Sequence, residues 1–189
     1  MTFGYELMTA ITNLVIFIAS IIILIKLKHD KTWNIFYILI SIDSFLGIIV
    51  HGINMNKNIN DLLWGILSIS LVFTINTLLI IFVGLKKKYY LITSFLIISL
   101  LILEIIFNLN YVITFVIYAI IVVLFSTYFI LKNNYKNKKY FLIGIINQII
   151  GIIPTFFKIG IGDFNHNCIT HTFTLITIII FYMGIKKSQ

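Results

Sequence analysis

Charged residues are scarce in this chain: 11% of its 189 residues are charged, whereas 60% are hydrophobic. A soluble domain of this length needs more polar surface than these residues provide. The sequence therefore excludes an ordinary soluble protein. Arginine is absent, and a single cysteine excludes an intramolecular disulfide bond. No basic segment with a small-residue cleavage site opens the chain, and we therefore expect no cleaved signal peptide.

Long apolar runs make up most of what is present. Each is close to or above about 18 residues, which is enough to cross ~30 Å of hydrocarbon as a helix. The connections are short and no internal repeat is evident, so residues 1–189 are predicted to form a single seven-helix transmembrane domain of the all-α class. We place the spans at residues 5–25, 32–51, 62–85, 89–107, 111–131, 140–159 and 167–185.

The lysines predict the orientation of these spans. Only Lys57 and Lys158 lie in one set of alternate loops, and the other 12 of the 14 lysines lie in the opposite set and at the C-terminus. Because basic loops stay in the cytoplasm, the N-terminus should lie outside and the C-terminus inside. The lysines in these loops account for the net charge of +8, which therefore does not indicate a nucleic-acid partner. We expect an integral, multi-pass protein of the cell membrane whose partners are membrane lipids.

Ionisable side chains gather at the predicted outer ends of four spans. Glu6 opens the first span, His51 ends the second, and Asp61 opens the third. His166 and His171 lie at the start of the seventh. Since such residues are costly in lipid and usually face the bundle interior, one shared polar layer is expected.

A second polar layer is predicted nearer the middle of the membrane. Asp43 lies ~12 Å below His51 at the rise of a helix, and Asn13 falls at a similar depth as its expected neighbour. Ser44 shares a helix face with His51. Two other amide side chains are expected to form interhelical hydrogen bonds and to lie outside any functional site, namely Asn76 and Gln148.

Each residue of the outer layer also has a purely structural interpretation. His51 alone is typical of an interfacial residue at a helix end, and Asp61 of an N-terminal cap favoured by the helix dipole. Glu104 could face lipid headgroups. His29 lies in a lysine-rich loop and is assigned no role. The histidines of the seventh span are harder to explain in this way, because they coincide in depth with His51.

Three imidazoles and a water molecule are a common catalytic zinc arrangement, in which a nearby carboxylate moves protons. The candidate ligands are His51, His166 and His171, and the candidate catalytic carboxylates are Asp61 and Glu6. Such a zinc ion would bring the pKa of its bound water towards neutrality and polarise a scissile carbonyl. The outer layer therefore predicts a zinc-dependent hydrolase.

The order of these residues resembles a known group of proteins. Glu6, with Asn13 and a leucine seven and eight residues later, is similar to the first-helix motif of alkaline ceramidases. His51, Asp61 and the histidine pair follow in the same order. Together they resemble the CREST superfamily of seven-helix membrane proteins, which includes alkaline ceramidases and the progestin and adipoQ receptors. Residues 164–171 also resemble small bacterial seven-helix proteins.

The resemblance implies a function and a site. It implies a zinc ion held by His51 and the histidine pair, with Asp61 assisting the zinc-bound water. The implied reaction is the hydrolysis of a lipid amide, such as a ceramide, or of an ester.

Three features differ from the family pattern. Gly47 stands where the family has a serine. The family pair is His-x-x-x-His, whereas His166 and His171 are five apart, ~140° around a helix. Both reach one metal if His166 lies in the loop before the helix; otherwise Asn167 takes its place. The acidic calcium loop of alkaline ceramidases is also missing, so ceramide specificity does not follow.

Two non-enzymatic functions stay open. One is a membrane carrier that uses Asp43 and Asn13 as a mid-membrane binding pair. The other is a receptor or accessory protein that keeps the fold without catalysis, as the altered histidine spacing and the missing serine would suggest. Depth separates the first from a hydrolase, because hydrolysis needs the outer layer and transport needs the middle one.

Overall fold

The chain is mostly helical in the part that the computed structural model describes, namely residues 6–27, 30–84, 87–106, 111–133 and 136–188. The predicted all-α class is confirmed, and the helices follow the order of the predicted spans. They are α1 (Leu7–Lys26), α2 (Lys31–Gly52), α3 (Lys57–Leu78), α4 (Lys87–Ile106), α5 (Tyr111–Lys132), α6 (Lys138–Phe157) and α7 (His166–Lys186), and a π-helical turn at Leu79–Val83 extends α3.

Five of the described helices are long and apolar enough to cross a membrane. They are α1, α2, α3 with its π-helical turn, α6 and α7. Within α4 and α5 the described apolar stretches are shorter, Leu91–Leu100 and Ile117–Lys132. These helices suit a multi-pass membrane protein, and membrane crossing by α4 and α5 stays a prediction.

Many large apolar side chains lie on the surface and several polar side chains lie in the interior, which is the reverse of a soluble protein. Large apolar side chains face outward, with Phe95 70% and Phe157 74% exposed. Thr9, Ser20 and Asn76 are fully buried. Because lipid offers no hydrogen-bond partner, polar side chains are best placed between helices.

Asparagine caps fix where two of the helices begin. The side chain of Asn56 accepts a hydrogen bond from a backbone N–H one turn on, at 3.0 Å, so α3 starts at Lys57, ahead of the predicted residue 62. Asn165 accepts one at 3.1 Å, so α7 starts at His166. His166 is therefore the first residue of the helix and does not belong to the preceding loop.

The closest helix pairs are α6 with α7 and α1 with α2, and α1 also packs against α7. Glycines permit this proximity. A Cβ atom on Gly144 would lie 2.4 Å from the ring of Phe181, and one on Gly47 would lie 2.7 Å from the side chain of Asn13. The two glycines thus allow close contact of α6 with α7 and of α2 with α1.

One end of the bundle is filled by aromatic rings. Trp33, at the start of α2, stacks on Phe141 with ring centroids 5.6 Å apart. It meets Phe181 edge-on at 5.7 Å. Tyr37 donates a hydrogen bond to the carbonyl of Ile178 at 2.7 Å. We call this set the aromatic cluster: Trp33, Phe36, Tyr37, Phe82, Phe141 and Phe181.

Amides tie helices together elsewhere, as predicted. Asn76 Nδ2 donates to Ser94 Oγ at 2.6 Å, and the hydroxyl of Tyr118 donates to Asn76 Oδ1. Gln148 Nε2 donates to Thr174 Oγ1 at 3.1 Å. The interhelical role expected for both amides is confirmed.

Candidate functional site

Glu6 is the centre of a polar cluster at the opposite end of the bundle. Its Oε2 accepts hydrogen bonds from Thr9 Oγ1 at 2.8 Å and from Asn167 Nδ2 at 3.1 Å. The same oxygen lies 3.2 Å from His51 Nδ1. The backbone N–H of Glu6 also donates to the carbonyl of His51 at 2.9 Å. One carboxylate thus joins the start of α1, the end of α2 and the start of α7.

These contacts keep Glu6 ionised. Burial acts to raise the pKa of its carboxyl, but hydrogen bonds from Asn167, Thr9 and Asn165 and the charge of His51 outweigh it. The net result is a pKa below the ordinary value for glutamate. Glu6 is therefore an acceptor for the imidazole of His51 at neutral pH.

His51 lies between the carboxylate of Glu6 and the indole of Trp64. Its side chain is 11% exposed. The imidazole and indole rings meet edge to face, with centroids 5.3 Å apart and planes at 87°. The short Glu6 contact favours the tautomer with the proton on Nδ1, which leaves Nε2 as an acceptor.

His171 brings a second imidazole to the same place. Its ring centroid lies 6.1 Å from that of His51. Its Nδ1 lies 3.0 Å from Thr12 Oγ1, which also donates to the carbonyl of Thr9 at 2.8 Å. With that hydroxyl proton already donated, the Nδ1 of His171 carries a proton and donates to Thr12. We call this set the histidine cluster: Glu6, Thr9, Thr12, His51, Asn167 and His171.

Two of the predicted outer-layer residues lie apart from the histidine cluster. Asp61 is exposed on α3, and its Oδ2 lies 2.5 Å from Lys57 Nζ. His166 makes no hydrogen bond or ring contact with His51 or His171 in the described part of the chain. Because α7 starts at His166, five residues separate it from His171 along one helix, and it points elsewhere.

The zinc ion predicted at His51, His166 and His171 stays a prediction. No group of three or more His, Cys, Asp or Glu side chains within the described ranges could hold a metal ion. Nδ1 of both His51 and His171 is hydrogen-bonded, which leaves two imidazole nitrogens, whereas a catalytic zinc usually takes three protein ligands. Asn167, which the sequence offers as a substitute ligand, donates to Glu6 through its amide.

The residues of the predicted deeper layer do not form a hydrogen-bonded pair in the described part of the chain. Asp43 is 7% exposed, and its Oδ2 accepts a hydrogen bond from Thr74 at 2.6 Å. Its Oδ1 is buried and has no partner among the described residues. Asn13 donates instead to the carbonyl of Thr9 at 3.2 Å, and Ser44 is buried nearby on α2. The hydrogen bond of Asp43 thus goes to α3 and not to Asn13.

Sequence reasoning assigned no site role to Thr12, Asn165 or Trp64, which it interpreted as an interfacial aromatic residue, and the structure adds all three to this region. Thr12 holds His171, Trp64 packs on His51, and Asn165 Oδ1 lies 3.2 Å from Thr9 Oγ1. A partial signal exists, since Thr12 lies near Glu6 on the predicted helix and Asn165 precedes a helix start. The side chain of Glu104 and the whole of His29 lie outside the described residues.

Comparison with known proteins gives one match. Residues 8–189 match a family described as Family of unknown function (DUF6962). No curated protein and no solved structure matches the chain. The matched residues include nearly all of the histidine cluster and every described helix except the first residue of α1. Since the match covers far more than half of its length, the chain belongs to this family of unknown function, DUF6962.

Proposed function

We propose that this protein is a membrane hydrolase that cleaves the amide or ester bond of a lipid at the histidine cluster. The observation that carries the proposal is the contact of Glu6 Oε2 with His51 Nδ1 at 3.2 Å, next to a second imidazole 6.1 Å away. A carboxylate that orients a histidine is a recurrent arrangement for general base catalysis.

In this proposal, His51 activates a water molecule. Glu6 holds the Nδ1 proton, so Nε2 takes a proton as the water oxygen attacks the acyl carbon. The resulting imidazolium is stabilised by the carboxylate. Its proton passes to the leaving amine or alcohol when the C–N or C–O bond breaks, which releases a fatty acid.

The neighbours of the dyad keep it in position. Asn167 and Thr9 donate to the Glu6 oxygen that also contacts His51. Thr12 fixes Nδ1 of His171. The Nε2 of His171 is thereby left for the substrate or the water molecule.

An apolar groove supports a lipid as substrate. It has a volume of about 240 Å³ and lies between α1 and α2. Leu7, directly after Glu6, and Gly52, directly after His51, are among its lining residues. An acyl chain lying along this groove would have its carbonyl end beside the histidine cluster.

The resemblance to alkaline ceramidases and the CREST superfamily supports the same reaction class. Its zinc ion stays a prediction, and we derive no step through it, because the described residues supply two imidazoles and no third ligand. Elemental analysis of the purified protein measures the metal directly. About one zinc per chain would require His166 or another ligand to move towards His51 and His171.

The lysine distribution supports an orientation with the N-terminus outside and the C-terminus in the cytoplasm, with seven spans in the cell membrane. The histidine cluster would then face the outside. Cysteine accessibility of single-cysteine variants in intact cells tests this topology.

The test of the hydrolase is fatty-acid release from a panel of lipid amides and esters by the protein in proteoliposomes, measured by mass spectrometry. The wild type should release fatty acid from at least one lipid, and His51→Gln should not. A wild type that releases none, but still binds a lipid of the panel, would favour a receptor or accessory role.

A second candidate function is a carrier, and one observation favours it. Asp43 is buried near the middle of α2, and its Oδ1 has no partner in the described part of the chain. A carboxylate in mid-membrane often marks a path for ions or protons. Loss of transport in Asp43→Asn, with the histidine cluster intact, would support the carrier over the hydrolase.

A further inference from the structure

Trp64 carries a buried hydrogen-bond donor beside the histidine cluster. Its Nε1 is shielded from solvent and has no acceptor among the residues that the structure describes. Indole N–H is only a donor, so it needs an acceptor to form a conventional hydrogen bond. A buried donor without an acceptor costs about 1–3 kcal/mol, and native proteins retain few of them.

An acceptor for the Trp64 N–H group would lie near His51. The indole meets the imidazole of His51 edge to face at a centroid distance of 5.3 Å. A small group that accepts a hydrogen bond from the indole would therefore lie within reach of His51. Glu6 holds the other side of that imidazole and already accepts from three donors.

We propose that Trp64 Nε1–H donates a hydrogen bond to the carbonyl oxygen of the lipid acyl group, and this inference rests on the proposed function. The donor then positions the carbonyl for attack by the water that His51 activates. As the water adds, the π electrons of the carbonyl move onto its oxygen. Trp64 stabilises that negative charge and keeps its own proton.

The Trp64 N–H group forms its hydrogen bond only when the ligand is bound. Without ligand, the N–H group is unsatisfied and destabilises the folded protein. With the acyl oxygen in place, it forms a hydrogen bond in a buried site, where such bonds are strong. The substitution Trp64→Phe, which removes the N–H and keeps an aromatic ring, separates these two states.

The first experiment observes the donor itself in the wild-type protein. The chain has two tryptophans, so indole-¹⁵N labelling gives two N–H resonances, which Trp64→Phe or Trp33→Phe assigns. A fatty-acyl N-methylamide in detergent micelles is the probe. We expect the Trp64 resonance to move downfield on titration and the Trp33 resonance to stay in place. A Trp64 resonance that does not move at the highest probe concentration overturns the inference.

The second experiment measures the consequence. We expect Trp64→Phe to bind the probe about 10-fold more weakly, to lose about 100-fold in kcat, and to unfold at the wild-type temperature or above. Equal probe binding and kcat in a folded Trp64→Phe variant would overturn the inference. A Trp64 shift without fatty-acid release from any lipid supports the donor role and overturns the hydrolase, so the two failures are distinguishable.

Discussion

The two ends of the bundle are built in opposite ways. At one end, Trp33 contacts five other rings of the aromatic cluster, and all of them are buried. At the other end, the same helices α2 and α7 bring His51 and His171 together, and His51 contacts the carboxylate of Glu6. The aromatic end contains close packing and few polar atoms, whereas the histidine end contains partly exposed polar atoms.

This difference separates stability from function. In a membrane, association of helices depends on close packing and interhelical hydrogen bonds, because lipid is as apolar as the helices themselves. The aromatic cluster supplies that packing at the end of the bundle opposite to Glu6, His51 and His171. The histidine cluster can therefore keep ionisable groups in a costly environment, while the opposite end holds α2 and α7 in place.

The largest expected effect is on activity at the histidine end. His171→Ala should lower the rate of fatty-acid release by about 100-fold to 10,000-fold, because it removes an imidazole beside His51. His166→Ala is the matched control, since it changes a histidine of the same helix outside the cluster. Its rate should stay near the wild type. Equal losses in both variants would instead support a three-histidine metal site.

The next largest effect should be on stability at the aromatic end. Trp33→Ala should reduce the free energy of unfolding by about 3–5 kcal/mol, because its ring packs against five others. Denaturation in detergent measures this loss, and activity per folded molecule should be unchanged. Phe95→Ala, at a 70% exposed ring, is the control and should cost little. A comparable loss in both variants would mean that the cluster does not stabilise the bundle.

Two glycine-to-alanine substitutions compare a tight contact between helices with an open position. Gly144→Ala places a Cβ 2.4 Å from the ring of Phe181 and should cost about 1–3 kcal/mol. Gly65 has no atom within 4 Å of its Cβ position, so Gly65→Ala should be neutral or slightly stabilising. Thermal unfolding of the two variants checks the pair. Similar shifts would contradict the tight contact between α6 and α7.

The smallest effect is the pH dependence of Glu6. The pKa of this carboxyl is lower in the folded protein than its ordinary value of 4.5. Its contribution to stability is therefore complete above about pH 4.5 and is lost as the pH falls through the folded pKa. Because Glu6→Gln lacks this contribution, the wild type should unfold at a higher temperature than Glu6→Gln at pH 6. This difference in unfolding temperature should become smaller as the pH falls to 3. A difference that grows on acidification would contradict the assignment.

Position along the helix axes could be predicted from the sequence, and rotation about a helix axis could not. The alternation of lysines and the rise of a helix placed Glu6, His51 and His171 in one layer. The contacts of His51 with both partners confirm that they lie together. Position along an axis needs only a count of residues from a helix end, and an error of one residue changes it by ~1.5 Å.

Rotation is far more sensitive to such an error, since one residue turns a helix by about 100°. The cap at Asn165 starts α7 at His166 and fixes Asn167 and His171 on the side of α1. Likewise, α3 directs Asp61 outward to Lys57 and Trp64 towards His51. The sequence does not state which face of α3 meets α2, so it could not choose between Asp61 and Glu6.

The most direct test of the central claim compares these two carboxylates. It measures the rate of fatty-acid release by wild type, Glu6→Gln and Asp61→Asn in proteoliposomes that contain the same lipid amides and esters. The account predicts a loss of about 100-fold or more in Glu6→Gln and a nearly unchanged rate in Asp61→Asn. An unchanged rate in Glu6→Gln, or a comparable loss in Asp61→Asn, would contradict it.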